Sequence, residues 1–238
     1  MLVERGLAED AKQAQALILS GKVFTGEQRI DKPGTPISAE IPIEIRGSDH
    51  PWVSRGGLKL DHALDRFGID VKDAHAIDVG ASTGGFTDVL LARGARHVFA
   101  VDVGYGQLHW KLRQDDRVTI LERQNARHLT AEHIPAPVGV IVCDASFTRL
   151  ESVLPVPMGF TAADACLVAL IKPQFEVAKS DVGQGGIVRD PALHRAVCEQ
   201  IETWLSGLAG WTVLGIDESP IKGAEGNIEF LIAARFDG

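Results

Sequence analysis

The stretch Ala76–Leu90, AIDVGASTGGFTDVL, decides the reading of this chain. An apolar run ends on an acid, passes into a glycine-rich turn and resumes as the start of an amphipathic helix. That is the sequence form of a nucleotide-type cofactor site at the carboxyl end of the first strand of an open α/β sheet. Gly80, Gly84 and Gly85 are spaced GxxxGG rather than the GxGxxG of dinucleotide sites, and no GxxxxGK[ST] phosphate loop occurs. Glycines in such a turn let the backbone approach a ligand that a Cβ would obstruct. A tight strand-to-helix turn with no ligand is the alternative.

Outward from this stretch, helix and strand patterns alternate. An amphipathic helix over GGLKLDHALDRFG begins at Gly56. Strands are expected at Ala76–Val79, His97–Asp102, Val118–Leu121, Val138–Cys143 and Cys166–Ile171. Helices are expected near Gly85–Arg93, Gln107–Gln114, Ala131–His133, Leu150–Val153 and Pro191–Ala209. Strands separated by helices imply a parallel sheet. The last two, Thr212–Glu218 and Asn227–Arg235, share a short Pro/Gly-rich loop and should form an antiparallel pair. The pattern D-x-G-x-x-x-G-G-F after a strand resembles the S-adenosylmethionine loop of class I methyltransferases. That resemblance implies an α/β, Rossmann-like, mostly parallel seven-stranded sheet with a C-terminal antiparallel hairpin.

At 238 residues and 45% apolar content, the chain suits a well-cored globule of one large domain, or a medium one with a small one attached. Its longest apolar run, Ala162–Ile171, is far short of the ~20 residues that span a bilayer. The opening MLVERGLAED lacks a basic-then-apolar signal pattern, so a cytoplasmic protein with no membrane association is expected. Cys143, Cys166 and Cys198 are widely spaced and read as reduced, mostly buried thiols. The eight histidines show no ligand spacing, so no metal is expected. The net charge of −8 falls wholly on residues 61–238; residues 1–60 carry eight basic and eight acidic side chains. A nucleic-acid contact therefore needs a local basic face, and the amino-terminal segment is the better place for one.

Residues 1–46 read as a small α/β unit. Leu2–Val3 and Leu7 bracket a turn at Gly6, and Asp10 caps a helix in which Ala11, Ala14, Leu17 and Ile18 recur at helical spacing. Gly21 stops it; Lys22–Phe24 and Gln28–Ile30 are short strands, and Glu40–Ile45 alternates as a final one. The run LVERGLAEDAKQAQALILSGKVFTGEQRIDKPG resembles the S4 RNA-binding domain. The resemblance implies that Lys12, Lys22, Arg29 and Lys32 face structured RNA. Members of that family open some residues earlier, so a shortened first helix is expected. Residues 47–55, GSDHPWVSR, read as a linker in which Trp52 can pack between the two units and Arg55 adds an RNA contact. The larger domain spans residues 56–238.

Several polar residues fall at the carboxyl ends of the expected parallel strands, where α/β sheets place ligands. Asp78 ends the first strand. Asp102 ends the second, at the distance from the glycine loop where an acid grips ribose hydroxyls, or else caps a helix. Asp144 follows VIVC. Lys172 follows five apolar residues and precedes Pro, which ill suits a solvated surface charge, and burial would demand a partner. Glu229 opens the last strand, and Lys59 sits on the helix before the first.

The segments VSRGGLKL, DVGASTGGFTDVLL, VDVGYGQLHWKLR, NARHL, LIKPQFE, GQGGIVRDP and SPIKGAEGNIEFL resemble the TlyA family, an S4 domain joined to an FtsJ-like ribose methyltransferase domain and often labelled hemolysin-like. The resemblance covers essentially the whole chain. It implies S-adenosylmethionine-dependent 2′-O-methylation of ribosomal RNA in ribosomal subunits, with cytidine the expected nucleoside. It also implies a catalytic tetrad of Lys59, Asp144, Lys172 and Glu229. Cofactor contacts would come from Asp78, Gly80, Ala81, Ser82, Gly84, Phe86, Asp102, Asn125 and Asp144. Where the family more often reads Asp-Val-Ser-Phe-Ile-Ser, this chain has DASFTR, with a new charge at Arg149.

The chemistry suits such residues. A ribose hydroxyl is a weak acid, and near-attack geometry supplies much of the acceleration in a methyl transfer. A lysine serves as base only when its surroundings loosen its proton, which burial and a second cation favour and carboxylates oppose. Lys172 is expected to be the base or the group that orients the hydroxyl. Asp144 and Glu229 would position the lysines, and Lys59 would steer the phosphate–ribose backbone. No G-x-S-x-G elbow surrounds Ser82 or Ser146, so neither reads as a nucleophile. Lys179–Arg189 reads as a mobile loop that orders over RNA or as a solvated connection. The competing functions are an RNA- or ribosome-binding protein with a vestigial cofactor site, a membrane-lytic protein, and a nicotinamide oxidoreductase.

Overall fold

The computed structural model describes residues 1–8, 10–19, 21–38, 41–45 and 50–238, the side chain of Ala224 aside. The amino-terminal unit holds helix α1 (Ala11–Leu19) and strands β1 (Val23–Thr25), β2 (Gln28–Ile30) and β3 (Glu44–Ile45). Asp10 Oδ1 accepts from Gln13 N at 2.7 Å, satisfying a donor that the first turn of α1 leaves open. The strands form an antiparallel sheet in the order β2-β1-β3. Its small core gathers Leu2, Ala8, Val23, Ile30 and Ile43, with Ala14, Leu17 and Ile18 of α1 packed against it. Glu40, Arg46 and residues 47–49 of the expected linker lie outside the described residues.

The larger unit runs α2 (Gly56–Phe67), β4 (His75–Val79), α3 (Gly85–Ala92), β5 (His97–Asp102), α4 (Trp110–Arg113), β6 (Val118–Glu122), β7 (Val138–Cys143), α5 (Leu150–Val153), α6 (Pro155–Met158), β8 (Thr161–Ile171), α7 (Pro173–Glu176), α8 (Pro191–Ser206), β9 (Trp211–Glu218) and β10 (Phe230–Phe236). Its seven strands lie in the order β6-β5-β4-β7-β8-β10-β9. The first five are parallel; β10 runs antiparallel between β8 and β9. The expected sheet and closing hairpin are thus present.

Strand alternation splits the core into two layers. Ala76, Val98, Ala100, Val140, Val142, Val168 and Leu170 face α2 and α3, where Leu60, Leu64, Val89 and Leu90 meet them. Ile77, Phe99, Val101, Ile141, Cys143, Leu167 and Ile171 face Val153, Ile201 and Leu205 from α5 and α8. Burial on both faces explains why VGVIVC and CLVALI read as unbroken apolar runs rather than alternating ones. Each fully buried aliphatic side chain contributes about 1.5–3 kcal/mol.

Several boundaries differ from expectation. The expected helix over Gln107–Gln114 shrinks to α4 because His109 Nδ1 accepts from Lys111 N and starts the helix there. Ala131–His133 is a turn closed by His133 Nδ1, which accepts from Thr130 N; a single 3₁₀ turn forms earlier, at Ala126–His128. Strand β8 begins five residues before Cys166, and its pairing with β7 shifts register, with Asp164 at φ 60 in the added segment. Helix α8 stops at Ser206, before Gly207. Strand β10 starts at Phe230 rather than Asn227, because Asn227 is bound to a different loop. Trp52–Arg55 are docked rather than free. Val53 N donates to Asp88 Oδ2 at 2.9 Å, and Trp52 packs on Gly57. Trp52 also lines, together with Leu7, Ala8 and Ile43, a cleft of about 370 Å³ between the two units.

Candidate active site

At the carboxyl edge of the sheet, the chain leaves β4 at Gly80 (φ 82), where N–H groups of Gly80 and Ala81 both donate to Val101 O. A Cβ on Gly80 would stand 2.9 Å from Ala145 Cα, so the glycine lets the loop after β4 pass close to the loop after β7. Asp102, at the end of β5, accepts from Ser82 N and from Gly104 N, each at 2.7 Å. The glycine loop and the acid are therefore locked to one another. Beside them lies a cavity of about 530 Å³ lined by Gly80, Ser82, Asp102, Val103, Gln107 and Asn125, with Asp144 to Thr148 along its other wall. It sits where the sheet order reverses between β4 and its two neighbours, the usual ligand crevice of such sheets.

A second cavity, of about 400 Å³, adjoins the first and shares Gly80, Ser82, Asp144, Ser146 and Phe147 with it. Four charged residues from distant segments meet in its wall. Lys172 follows β8, where Pro173 ends the strand and starts α7. Glu229 lies opposite it, because Phe230 pairs with Ile171 in antiparallel register. Asp144 follows the adjacent β7, and Lys59 comes from the buried side of α2. Lys59 Nζ donates to Glu229 Oε2 at 2.6 Å and stands 4.0 Å from Asp144 Oδ2. Lys172 Nζ is 2.6 Å from Asp144 Oδ1 and donates to Asp144 O at 3.0 Å and Ser146 Oγ at 2.9 Å. The Asp144 carboxylate thus lies between two ammonium groups. Lys59 and Lys172 are each 7% exposed and Glu229 3%, a burial that ionised groups tolerate only when paired in this way.

Of the residues expected to hold a cofactor, Gly80, Ser82, Asp102, Asn125 and Asp144 line the first cavity. Ala81 and Phe86 line the second. Asp78 and Gly84 line neither. Asp78 is fully buried beneath the loop, where Thr87 Oγ1 donates to its Oδ2 at 2.7 Å. Burial, partly offset by Thr87, pushes its carboxyl up to about 7. Gly84 (φ 99) serves packing, since a Cβ there would overlap Leu112 and crowd Leu108. Arg55 reaches the rim of the second cavity. Lys12, Arg29 and Lys32 are exposed on the small unit, and Lys22 is half-buried there.

Three contributors had no signal in periodicity. Ser146 receives the Lys172 ammonium. Gln174 lines the second cavity with its Oε1 buried. Phe147, 89% exposed at φ 62, stands on the rim shared by both cavities, its ring 5.0 Å from that of Phe175. The thiol of Cys143, just below Asp144, is pushed up to about 12 by burial and is a poor nucleophile.

Residues 52–236 match the family model described as FtsJ-like methyltransferase. The chain is 47% identical over 235 residues to the 16S/23S rRNA (cytidine-2'-O)-methyltransferase TlyA of Mycobacterium tuberculosis, covering 98% of this chain and 87% of that one. A candidate rRNA methyltransferase of Bacillus subtilis, YqxC, is 45% identical over 239 residues, covering 100% of this chain and 85% of its own. Among solved structures, a candidate hemolysin from Streptococcus thermophilus superposes with a TM-score of 0.78 at 41% identity, over 99% of this chain and 86% of that one. Among the described residues, no helix is long and apolar enough to cross a membrane.

Proposed function

Since the chain belongs to the FtsJ-like methyltransferase family, we propose that it uses S-adenosylmethionine to methylate a ribose 2′-hydroxyl of ribosomal RNA within ribosomal subunits, with cytidine the target nucleoside. The observation that carries this reading is the buried Lys172 ammonium, held by Asp144 and Ser146 where the two cavities meet.

The first cavity fits the cofactor. Asp102 would take the ribose hydroxyls through the acceptor capacity its two backbone donors leave free, and Asn125 would meet the base. The strained turn at Gly80 and Ser82 (φ 47) brings backbone to the cavity wall, where the methionine part would lie. When bound, S-adenosylmethionine supplies an electrophilic methyl group on a sulfonium. The rest is done by side chains. As an ammonium, Lys172 Nζ orients the 2′-hydroxyl oxygen; it takes the hydroxyl proton only in its neutral form, after its own proton has left to solvent, and Asp144 and Ser146 fix where that nitrogen points. Glu229 holds Lys59 beside Asp144, so that Lys59 can meet the phosphate–ribose backbone. Such fixed placement of donor and acceptor groups is the main means of acceleration available to a methyl transfer.

Phe147 offers an exposed aromatic face on the shared rim, where a base can stack. Arg55 at the rim, with Lys12, Lys22, Arg29 and Lys32 on the small S4-like unit, would supply phosphate contacts. Reaction on ribosomal subunits would place the protein in the cytoplasm.

The test is methyl transfer from radiolabelled S-adenosylmethionine to purified small and large ribosomal subunits that lack the modification, with Lys172→Ala as control. Label in alkali-resistant ribose, lost with the variant, is expected. Cofactor binding without any transfer would support an RNA-binding protein with a vestigial site instead.

A further inference from the structure

The amide of Asn227 is 3% exposed and reaches across to a loop far from it in sequence. Its Oδ1 accepts from Val188 N at 3.1 Å, and its Nδ2 donates to Gly186 O at 3.0 Å. One side chain thus pairs with the backbone of the glycine-rich segment 183–188 as a neighbouring strand would. That segment is closed on itself by Gly183 N to Ile187 O, and Val188 O meets His194 Nε2 of α8 at 2.9 Å. The anchor for Asn227 is therefore firm.

The backbone of Asn227 works on the other side. Its carbonyl accepts from Gly223 N at 2.9 Å, which draws the loop after β9 over the second cavity, where Ile221, Lys222 and Gly223 form part of the wall. Gly223 then lies so close to Glu229 that a Cβ there would overlap the carboxylate. Two residues beyond Asn227, Glu229 O accepts from Ser219 N at 2.9 Å. Glu229 is consequently fixed from three directions, and the end of that chain of contacts is its 2.6 Å bond from Lys59.

We propose that Asn227 is a positioning residue for methyl transfer: by clamping segment 183–188 to the loop over the second cavity, it sets Glu229 and, through it, Lys59. The inference rests on the reading of the tetrad as the methyl-transfer site. It also makes the 183–188 segment an anchor for the loop that walls the acceptor side rather than a loose connection.

The experiment compares native chain, Asn227→Ala and Asn227→Asp in single-turnover methyl transfer to ribosomal subunits, with cofactor affinity and circular dichroism measured alongside. The Asp variant keeps an acceptor for Val188 N but, while ionised, offers no donor to Gly186 O; protonation restores one. Both variants should lower the transfer rate constant at least roughly 10-fold, since misplacement by about 1 Å can cost ~10². Cofactor affinity should stay within about two-fold, because the first cavity is built from other segments. The deficit of the Asp variant, taken as a ratio to native at each pH, should shrink as pH falls. A folded Ala variant with native transfer rate, or a loss confined to KM for the subunit, overturns the proposal. If the Ala variant does not fold, a pH-independent deficit in the Asp variant overturns it equally. A native chain that binds cofactor but transfers no methyl to either subunit removes the underlying reading, and this outcome is visible before any variant is made.

Discussion

The two cavities that meet at Asp144 are built in opposite ways. The first is shaped largely by one continuous stretch, β4 through the turn at Ala126–His128, closed on its other side by Asp144 to Thr148, with Gly80, Ser82 and Asp102 locked by backbone N–H donors. The second depends on four side chains, Lys59, Asp144, Lys172 and Glu229, that come from four separate segments and are held by one another. A backbone site tolerates many side-chain changes but few insertions. A side-chain site tolerates neither the loss of a member nor a slip of strand register, since one step of register sends every side chain to the other face.

The largest effect that should separate the two is Lys172→Ala. Transfer should fall by about 10³-fold or more, within the range known for loss of a general base, with cofactor affinity nearly unchanged. Isothermal titration beside single-turnover kinetics checks it, and a matching loss of cofactor binding would show that the cavities are not separable. Asp102→Ala should do the reverse. Loss of charge-assisted hydrogen bonds of about 1.5–3 kcal/mol weakens cofactor binding by roughly 10- to 150-fold, while transfer at saturating cofactor stays close to native. Phe147→Ala tests the shared rim. Loss of one base-stacking face, about 1–2 kcal/mol, should lower kcat/KM for the ribosomal subunit roughly 5- to 30-fold without changing cofactor affinity. Equal losses for subunit and cofactor would assign Phe147 to the first cavity instead.

The smallest effect concerns the floor of the glycine loop. Asp78 titrates in the folded chain at about 7 against an ordinary value of 3.8, because burial disfavours its charge. Between those values the folded state holds a proton that the unfolded state has lost. The contribution of Asp78 to stability is therefore full below 3.8 and is lost as pH rises through about 7. The Asp78→Asn variant keeps an acceptor for Thr87 and cannot ionise, so its melting temperature relative to native should rise between pH 5 and pH 8. A difference that does not change with pH would mean that Asp78 stays in one protonation state throughout.

Legibility in the sequence followed the same division. The strand–turn–helix of Ala76–Leu90, the sheet class and the closing hairpin could be read because they rest on local periodicity and turn chemistry. Among the short helices, α5 could be read at its observed bounds, whereas α4 and the turn at Thr130–His133 could not, since these are decided by the imidazoles of His109 and His133 meeting nearby backbone donors. What Asp78 and Gly84 touch could not be read for a related reason. A motif says which residue types crowd a turn, but whether each faces a ligand, Thr87 or Leu112 depends on what the rest of the chain packs there.

By itself, then, the order of residues determined the alternation of elements, the backbone route past Gly80 and the acid that ends β5, because these need only neighbours within a few turns of chain. Tertiary structure alone decided that Lys59, Asp144, Lys172 and Glu229 touch, that Ser146 receives the Lys172 ammonium, and that Asn227 ties two remote loops. Those contacts join residues up to 170 positions apart, and no local propensity encodes such a distance. Strand order and register bring them together, and burial then requires each charge to find its partner.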